Sequence, residues 1–431
     1  MSDSGENRDR YLTSKTLGEC FQQSHEKGRM GLPIVSLTMD QGLLPRDQIE
    51  RRVESNLPPE GHRLIRKGDL AYNMMRMWQG VCYSAKYDCL TSPAYVVLRP
   101  QPGVDSTFAE YYLRFEDTVA EFKRLSFGVV DDRLRLYFHD FSSVKCAIPS
   151  SDIVQRKIAR ILTTLDNVIT QTEALIAKYQ AIKQGLMHDL FTRGVDATGK
   201  LRPPQSEAPE LYKQSELGWI PKEWGSTTVA EVLQHRPKNG YSPKESDEWT
   251  GTVMLGLGCL TLSGFQPIQL KNAPKNDANL ERALLKDGDL LISRSNTRDL
   301  VALVGIYREI GSPCIYSDLM MRLVPANVVL PEYLEAILRH APVRSQLTNA
   351  SCGTSGSMMK INSEAVLRTV IALPSLEEQR VLLSRMTAIS SLIEAELLQR
   401  TSLRQIKTGL MQDLLTGKVA VKADKPEEIT R

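Results

Sequence analysis

The stretch KQGLMHDLFTRGV at residues 183–195 returns as KTGLMQDLLTGKV at residues 407–419, with eight of thirteen positions identical. An ungapped match of this length marks an internal duplication, and it fixes what the architecture contains. Upstream, Pro149-Ser150 and Gln155-Arg156 have counterparts in Pro374-Ser375 and Gln379-Arg380, so each copy opens after a proline and continues into the matched stretch. In the first copy Ile158, Ile161, Leu165, Val168, Thr172, Leu175, Tyr179, Ile182 and Leu186 step alternately by three and four, which is the seam of a coiled coil. The second carries Leu382, Met386, Ile389, Ile393, Leu397, Leu403, Ile406, Leu410 and Leu414, with Glu396, Gln399 and Arg400 weakening its middle. Ser375 with Glu378 reads as a capping box, and Asp152 with Gln155 as its equivalent.

Two such helices, each following a large variable segment, pair most simply in cis as a long antiparallel coiled coil with one domain at each end. At 1.5 Å per residue, a helix of about forty residues spans roughly 60 Å, so the pair is a spacer as well as a core. Gly185 and Gly409 occupy equivalent helical positions, where each costs about 1 kcal/mol relative to alanine. Close helix approach or a docking notch explains this recurrence better than a tolerated flaw. With Leu186, Asp189, Leu190, Leu410, Asp413 and Leu414, these glycines make up the candidate partner-binding face.

Fainter echoes precede each helix. Arg66-Lys67-Gly68-Asp69-Leu70 resembles Lys286-Asp287-Gly288-Asp289-Leu290, Tyr95 to Pro100 resembles Met320 to Pro325, and Glu110-Tyr111-Tyr112-Leu113 precedes Glu332-Tyr333-Leu334. Strand-like runs at Ala94–Leu98 and Val301–Ile306 alternate with helical stretches at Phe108–Arg114 and Pro331–Arg339, the pattern of α/β or α+β domains. The expected layout is a first domain at 1–150, a helix at 151–194, a surface linker at 195–216, a second domain at 217–374, a helix at 375–419 and a loose tail at 420–431.

At 431 residues the chain holds more than one domain. Its composition, 42% hydrophobic and 24% charged, is that of a soluble globular protein, and no apolar run approaches the roughly 20 residues of a membrane span. No secretory signal opens the chain, and seven scattered cysteines form no disulfide framework, so the cytoplasm is expected. A net charge of +3 leaves nucleic-acid binding to local patches. Catalytic signatures are missing. There is no phosphate-binding loop; Gly256-Leu257-Gly258 lacks its third glycine, Gly353-Thr354-Ser355-Gly356 is one residue short of a nucleophile elbow, and no histidines or cysteines fall at metal-ligand spacing. No Asn-Pro-Pro-aromatic run of the kind used in amino methylation is present.

A polar loop follows each Gly-Asp-Leu echo. Asn73, Arg76, Trp78 and Gln79 lie in the first, and Ser293, Arg294, Ser295, Asn296 and Arg298 in the second. Arg, Asn and Gln read base edges through paired hydrogen bonds, while Ser and Thr hold phosphates. Met74, Met75, Met77 and Trp78 would serve equally as core, with Arg76 a surface charge. Asp131-Asp132-Arg133-Leu134-Arg135 and Gly353 to Lys360 take similar places before the helices; Arg133, Arg135, Ser355 and Lys360 are the candidate backbone contacts there, although a solvated turn explains either segment as well.

Two variable domains, each followed by a helix ending in Lys-x-Gly-Leu-Met-x-Asp-Leu, resemble the specificity subunits of type I restriction-modification systems. The resemblance spans essentially the whole chain and includes Leu217-Gly218-Trp219-Ile220-Pro221-Lys222-Glu223-Trp224, which looks like the usual opening of a target recognition domain. The first half has no such Trp-Ile-Pro opening of its own. The resemblance implies a non-catalytic reader of double-stranded DNA with a pseudo-twofold arrangement and a bipartite, asymmetric target. It also implies two DNA-methyltransferase subunits and two motor-nuclease restriction subunits as partners, with S-adenosylmethionine, ATP and magnesium belonging to them and none to this chain. A specificity subunit of a methylation-only system and a coiled-coil scaffold that binds only protein are the alternatives.

Overall fold

A computed structural model describes residues 11–39, 41–49, 57–128, 134–275, 277–353 and 358–423. The chain divides into two compact units, residues 1–175 with 396–431, and residues 176–395. Each unit holds one mixed domain and part of both long helices.

In the first unit, β1 (Leu12–Thr16), α1 (Leu17–Cys20) and β2 (Phe21–Ser24) lead to β3 (Leu70–Asn73), β4 (Cys82–Ser84) and β5 (Tyr95–Pro100). Then come α2 (Ser106–Leu113), α3 (Glu116–Arg124), α4 (Phe138–Ser143), β6 (Lys145–Pro149) and the long helix α5 (Asp152–Thr192). The second unit opens with a hairpin, β7 (Tyr212–Ser215) and β8 (Gly218–Pro221), followed by β9 (Gly225–Thr228), α6 (Val229–Val232) and β10 (Lys238–Asn239). It continues through β11 (Leu290–Ser293), β12 (Ser295–Asn296), β13 (Val304–Ile306), β14 (Met320–Leu323), α7 (Pro331–Arg339) and α8 (Ala341–Asn349). The order closes with β15 (Met359–Lys360), α9 (Ser363–Arg368), β16 (Val370–Leu373) and the second long helix α10 (Leu376–Leu415).

The two domains share one frame. The main sheets are four-stranded, ordered β2-β5-β3-β4 and β10-β14-β11-β13, and β1 pairs with β6 as β9 pairs with β16. Nearly all pairings are antiparallel, the parallel ones among the described residues being the strands Val253–Leu255 and Cys314–Tyr316 and the single bridge Ile34–Leu90. The domains are therefore α+β rather than α/β, since hairpin returns need no helical crossover. The Gly-Asp echo is the turn that opens each central strand: Gly68 and Gly288 both take φ of 89°. Asp69 and Asp289 accept the amides of Arg66 and Lys286 at 3.2 and 2.9 Å, and bind Arg99 and Arg322 on the neighbouring strand at 3.0 and 3.1 Å. Of the expected strand Val301–Ile306 only Val304–Ile306 forms, because the chain turns before it and Ala302 takes φ of 62°.

A buried glutamine near the start of each long helix repeats the duplication in hydrogen bonds. Gln155 Oε1 accepts the Asp105 amide at 2.9 Å, and its Nε2 donates to the carbonyls of Gly103 and Pro149 at 2.9 and 2.8 Å. Gln379 Oε1 accepts the Leu330 amide at 2.8 Å, and its Nε2 donates to Val328 and Pro374 at 3.1 and 3.0 Å. The capping reading is thus half right at Ser375, whose Oγ accepts the Glu378 amide at 3.2 Å. The Glu378 carboxylate instead accepts from Arg202, Trp224 Nε1 and the Val195 amide, at 2.6, 2.9 and 2.8 Å. In the first copy Gln155 is spent on its clamp, and Asp152 pairs with Arg156 at 2.8 Å. The buried Arg202 lies in the segment expected as a linker; with Val195 and Tyr212 also buried, that segment is packed into its unit, its prolines and glycines making turns rather than slack.

Inside the first unit the helices run antiparallel, Asp166 to Lys407 at 2.5 Å and Glu173 to Arg404 at 2.6 Å. Of the buried α5 positions Ile158, Leu162, Ile169, Thr172 and Ile176, Ile158 and Thr172 fall on the expected seam while Leu162, Ile169 and Ile176 each lie one residue beyond an expected position, and Ile182 is exposed. Adjacent apolar pairs (Ile161-Leu162, Val168-Ile169, Leu175-Ile176) satisfy either phase, so periodicity alone could not choose. Ile406, expected in the seam of α10, is likewise exposed. The start of the expected tail is held: the Val421 amide donates to Tyr11 Oη at 3.1 Å.

Candidate nucleic-acid interface

The first loop grows from the end of β3. Asn73 Oδ1 accepts the Met75 amide at 2.9 Å and its carbonyl accepts the Arg76 amide at 2.9 Å, turning the chain into a short 3₁₀ segment, Met77–Gln79. Gly80 closes it at φ of 75°, where an added Cβ would meet Val119 Cγ2 at 3.2 Å. Met77 is fully buried and anchors the loop, so that methionine belongs to the core, whereas Met75 and Arg76 are exposed. Arg76 Nη1 donates to Gln79 Oε1 at 3.0 Å, pre-assembling two of the expected base readers. Trp78 donates its Nε1 proton to the Met75 carbonyl at 3.0 Å, and Lys123 Nζ lies 6.0 Å from its ring centroid.

A ribbon flanks this loop. Phe127 and Arg135 exchange both backbone hydrogen bonds, at 3.0 and 2.9 Å, and the next amide, Leu136, donates to the Met74 carbonyl at 2.9 Å. In the second unit Cys352 and Lys360 exchange both bonds at 2.9 Å, and the Ile361 amide donates to the Arg294 carbonyl at 2.8 Å. Loop and ribbon are therefore joined the same way in both units. β12 extends the second junction, setting Ser295 opposite Lys360 and Asn296 opposite Met359. Arg133 and Ser355 lie outside the described residues.

Two members of the second loop are structural. Ser293 is buried, its hydroxyl donating to the Leu300 carbonyl at 3.3 Å and accepting the Leu303 amide at 2.9 Å, and Ser295 is also buried. A serine at a strand end closes its own loop when both limbs pass within reach, which composition does not reveal. Arg298 and Lys360 are exposed and Arg294 and Asn296 half-buried, the Asn296 Oδ1 accepting the Thr297 amide at 2.8 Å. From behind, Arg344 of α8 donates to the carbonyls of Asp299 and Val301. Burial lowers its pKa against the pull of Asp299. Sequence reading missed Arg344, as it missed the aromatics Phe127 and Tyr137, although both flank the Arg133-Arg135 cluster. Both platforms thus offer cations beside amide groups, and the first adds aromatic rings, which suits phosphate and base contact.

On the expected partner-binding face, Leu190 and Leu414 are buried in the cores of their own units, and Leu186 and Leu410 pack partly against the same cores. Asp189 pairs with Arg193 and Asp413 with Lys418, both at 3.2 Å. Gly185 and Gly409 are exposed, with nothing within 4 Å of an added Cβ, so close helix approach does not account for them. Among the described residues no group of three or more His, Cys, Asp or Glu side chains converges to hold a metal, and no helix is long and apolar enough to cross a membrane.

Residues 61–184 match the family described as the type I restriction modification DNA specificity domain. The chain is 24% identical over 366 residues to the type I restriction enzyme MjaVIII specificity subunit of Methanocaldococcus jannaschii, covering 81% of this chain and 80% of that one. It is 23% identical over 305 residues to the EcoKI specificity subunit of Escherichia coli strain K12, covering 69% and 61%. In fold it is similar to a chain from a solved structure on complex assembly and conformational transition of the type I R-M system, with a TM-score of 0.57, 16% identity and 95% and 98% coverage. The type I restriction-modification S subunit from M. genitalium gives a TM-score of 0.54 at 13% identity, with 94% and 96% coverage.

Proposed function

We propose, from the chain's kinship with the type I restriction specificity subunits, that it is the non-catalytic, sequence-reading subunit of such a complex. Its two recognition domains, carried on the paired long helices, each read one half of a bipartite, asymmetric DNA target. The observation that supports this best is the pair of loop-and-ribbon platforms, alike in backbone bonds and different in outward side chains: one frame presented twice, with two reading faces. Arg76 and Gln79 read one half-site, and Arg294, Asn296 and Arg298 the other, while Arg135 and Lys360 hold phosphates. The exposed parts of the repeated helix ends recruit two methylating subunits and, in a full complex, two motor-nuclease subunits. S-adenosylmethionine, ATP and magnesium belong to those partners.

Co-expression with the methylating subunit, followed by sequencing of methylated adenines in the host genome, tests the reading. The expected outcome is one bipartite motif, absent without this chain. Alanine at Arg76 or Arg298 should cost about 1 to 3 kcal/mol of discrimination at one half-site only. Methylation by the purified chain alone, or partner binding without any DNA preference, would overturn the proposal and favour an enzyme or a protein-only scaffold.

A further inference from the structure

The outward face of the first ribbon carries aromatic rings that the described residues of its own unit leave largely open. Phe127 and Arg135, as a hydrogen-bonded cross-strand pair, present their side chains on the same face. Alternation then puts Leu136 inward, where it is fully buried, and Tyr137 outward again. Phe127 is 63% exposed and Tyr137 46%, with Arg135 exposed between them on the ribbon. Two open rings with a cation between them are poorly placed as solvent-facing surface but complementary to a polyanion with π-faced bases. The second ribbon has the same backbone and no ring: Cys352 faces Lys360, Ile361 is buried, and Asn362 spends its side chain capping α9 through the Ala365 amide at 2.8 Å.

We propose that Phe127, flanked by Tyr137, is an aromatic wedge that enters a base step of the first half-site and unstacks it, while Arg135 holds the adjoining backbone. Duplex DNA hides its base faces, so an exposed ring gains π contact only by opening a step. The second half-site is read without such opening. This rests on the DNA-reading function proposed above and adds a mechanism that differs between the half-sites.

The experiment uses the complex of the full chain with its methylating subunit and duplexes carrying 2-aminopurine at successive positions of either half-site. Apart from the adenines that the methylating subunit must itself take out of the stack, binding should raise fluorescence at one step of the first half-site and at none of the second. Phe127→Ala should abolish the rise and weaken target affinity roughly 5- to 100-fold, because it removes the stacking of a base on the ring. Phe127→Trp should retain binding. Because the ring is exposed, Phe127→Ala should keep its unfolding midpoint, which separates a defect in DNA binding from a defect in folding. Sequence-selective binding with no rise, or with affinity unchanged by Phe127→Ala, would overturn the wedge alone. If Phe127→Ala instead released the methylating subunit, the rings would be a protein contact and the wedge wrong. Absence of any sequence preference in the unsubstituted complex would overturn both this inference and the function beneath it.

Discussion

The ribbons Phe127–Arg135 and Cys352–Lys360 are built from the same backbone hydrogen bonds and followed by the same buried position, Leu136 or Ile361. Their outward residues share nothing but a cation. The difference separates two kinds of constraint. Inward side chains and backbone bonds are fixed by packing and by the cost of leaving buried polar groups unpaired. Outward side chains on an antiparallel ribbon bear no such load, so they can differ freely between copies. A duplicated fold thereby keeps one frame while presenting two surfaces, which is what the proposed reading of an asymmetric target requires.

The largest expected effect tests whether the frames are truly equivalent. Gln155→Ala and Gln379→Ala each remove three hydrogen bonds and strand one amide and two carbonyls. Each should therefore destabilise its own unit by about 2 to 4 kcal/mol. Hydrogen exchange, read separately over each domain, should show similar losses, each confined to the substituted unit. A large loss in one domain with none in the other would break the comparison at its foundation, whatever the reading faces do.

A smaller effect turns on a position where the frames differ inside. Phe115 and His340 are the buried residues that precede α3 and α8. Burial, aided by neighbouring His188, pushes the His340 pKa down to about 4 from an ordinary 6.5. Since the folded value is the lower one, the unfolded chain binds the proton first as pH falls. The second unit should therefore be fully stable above pH 6.5 and lose stability towards pH 4, by about 2 kcal/mol at pH 5. His340→Phe, which borrows the residue of the other half, should remove this contribution from denaturant midpoints measured between pH 7 and 5. An acid slope unchanged by the substitution would place the sensitivity elsewhere.

How much of this was legible depends on what each feature leaves in a linear sequence. The long helices were readable because a repeated period constrains residue types strongly, and the Gly-Asp echo was visible as a repeat although not as the turn that its left-handed glycine makes. The phase of the seam was not, since paired apolar residues such as Ile161-Leu162 fit two registers. Glu378 looked like a cap because its spacing from Ser375 is right, yet a buried guanidinium from Arg202 claims its carboxylate. At the candidate site, Arg76 and Gln79 were singled out by their chemistry and the structure joins them by a hydrogen bond, whereas Ser293, singled out by the same chemistry, is buried in its own loop because a hydroxyl serves a loop as well as a phosphate. Phe127 and Tyr137 escaped notice because aromatic residues default to core, and only the ribbon's alternation shows which way they face.

The smallest expected effect decides what the equivalent glycines are for. An alanine methyl at Gly185 or Gly409 would meet nothing within 4 Å, and both sites lie inside helices. Alanine should therefore raise stability by about 0.5 to 1 kcal/mol at each, with no cavity or clash to offset the gain in helix propensity. One turn before each glycine stands an exposed isoleucine, Ile182 at 44% and Ile406 at 52%, so an apolar side chain beside a notch recurs in both copies. If these notches seat the partner subunits, Gly185→Ala and Gly409→Ala should each make the isolated chain more stable and its assembly with the methylating subunit weaker, by comparable amounts. Native mass spectrometry of the mixture, beside thermal unfolding of the chain alone, reads both quantities. A gain in stability with assembly untouched would make the glycines a tolerated flaw inherited through duplication. A deficit from only one of them would mean that the two helix ends, unlike the two frames, have come to serve different partners.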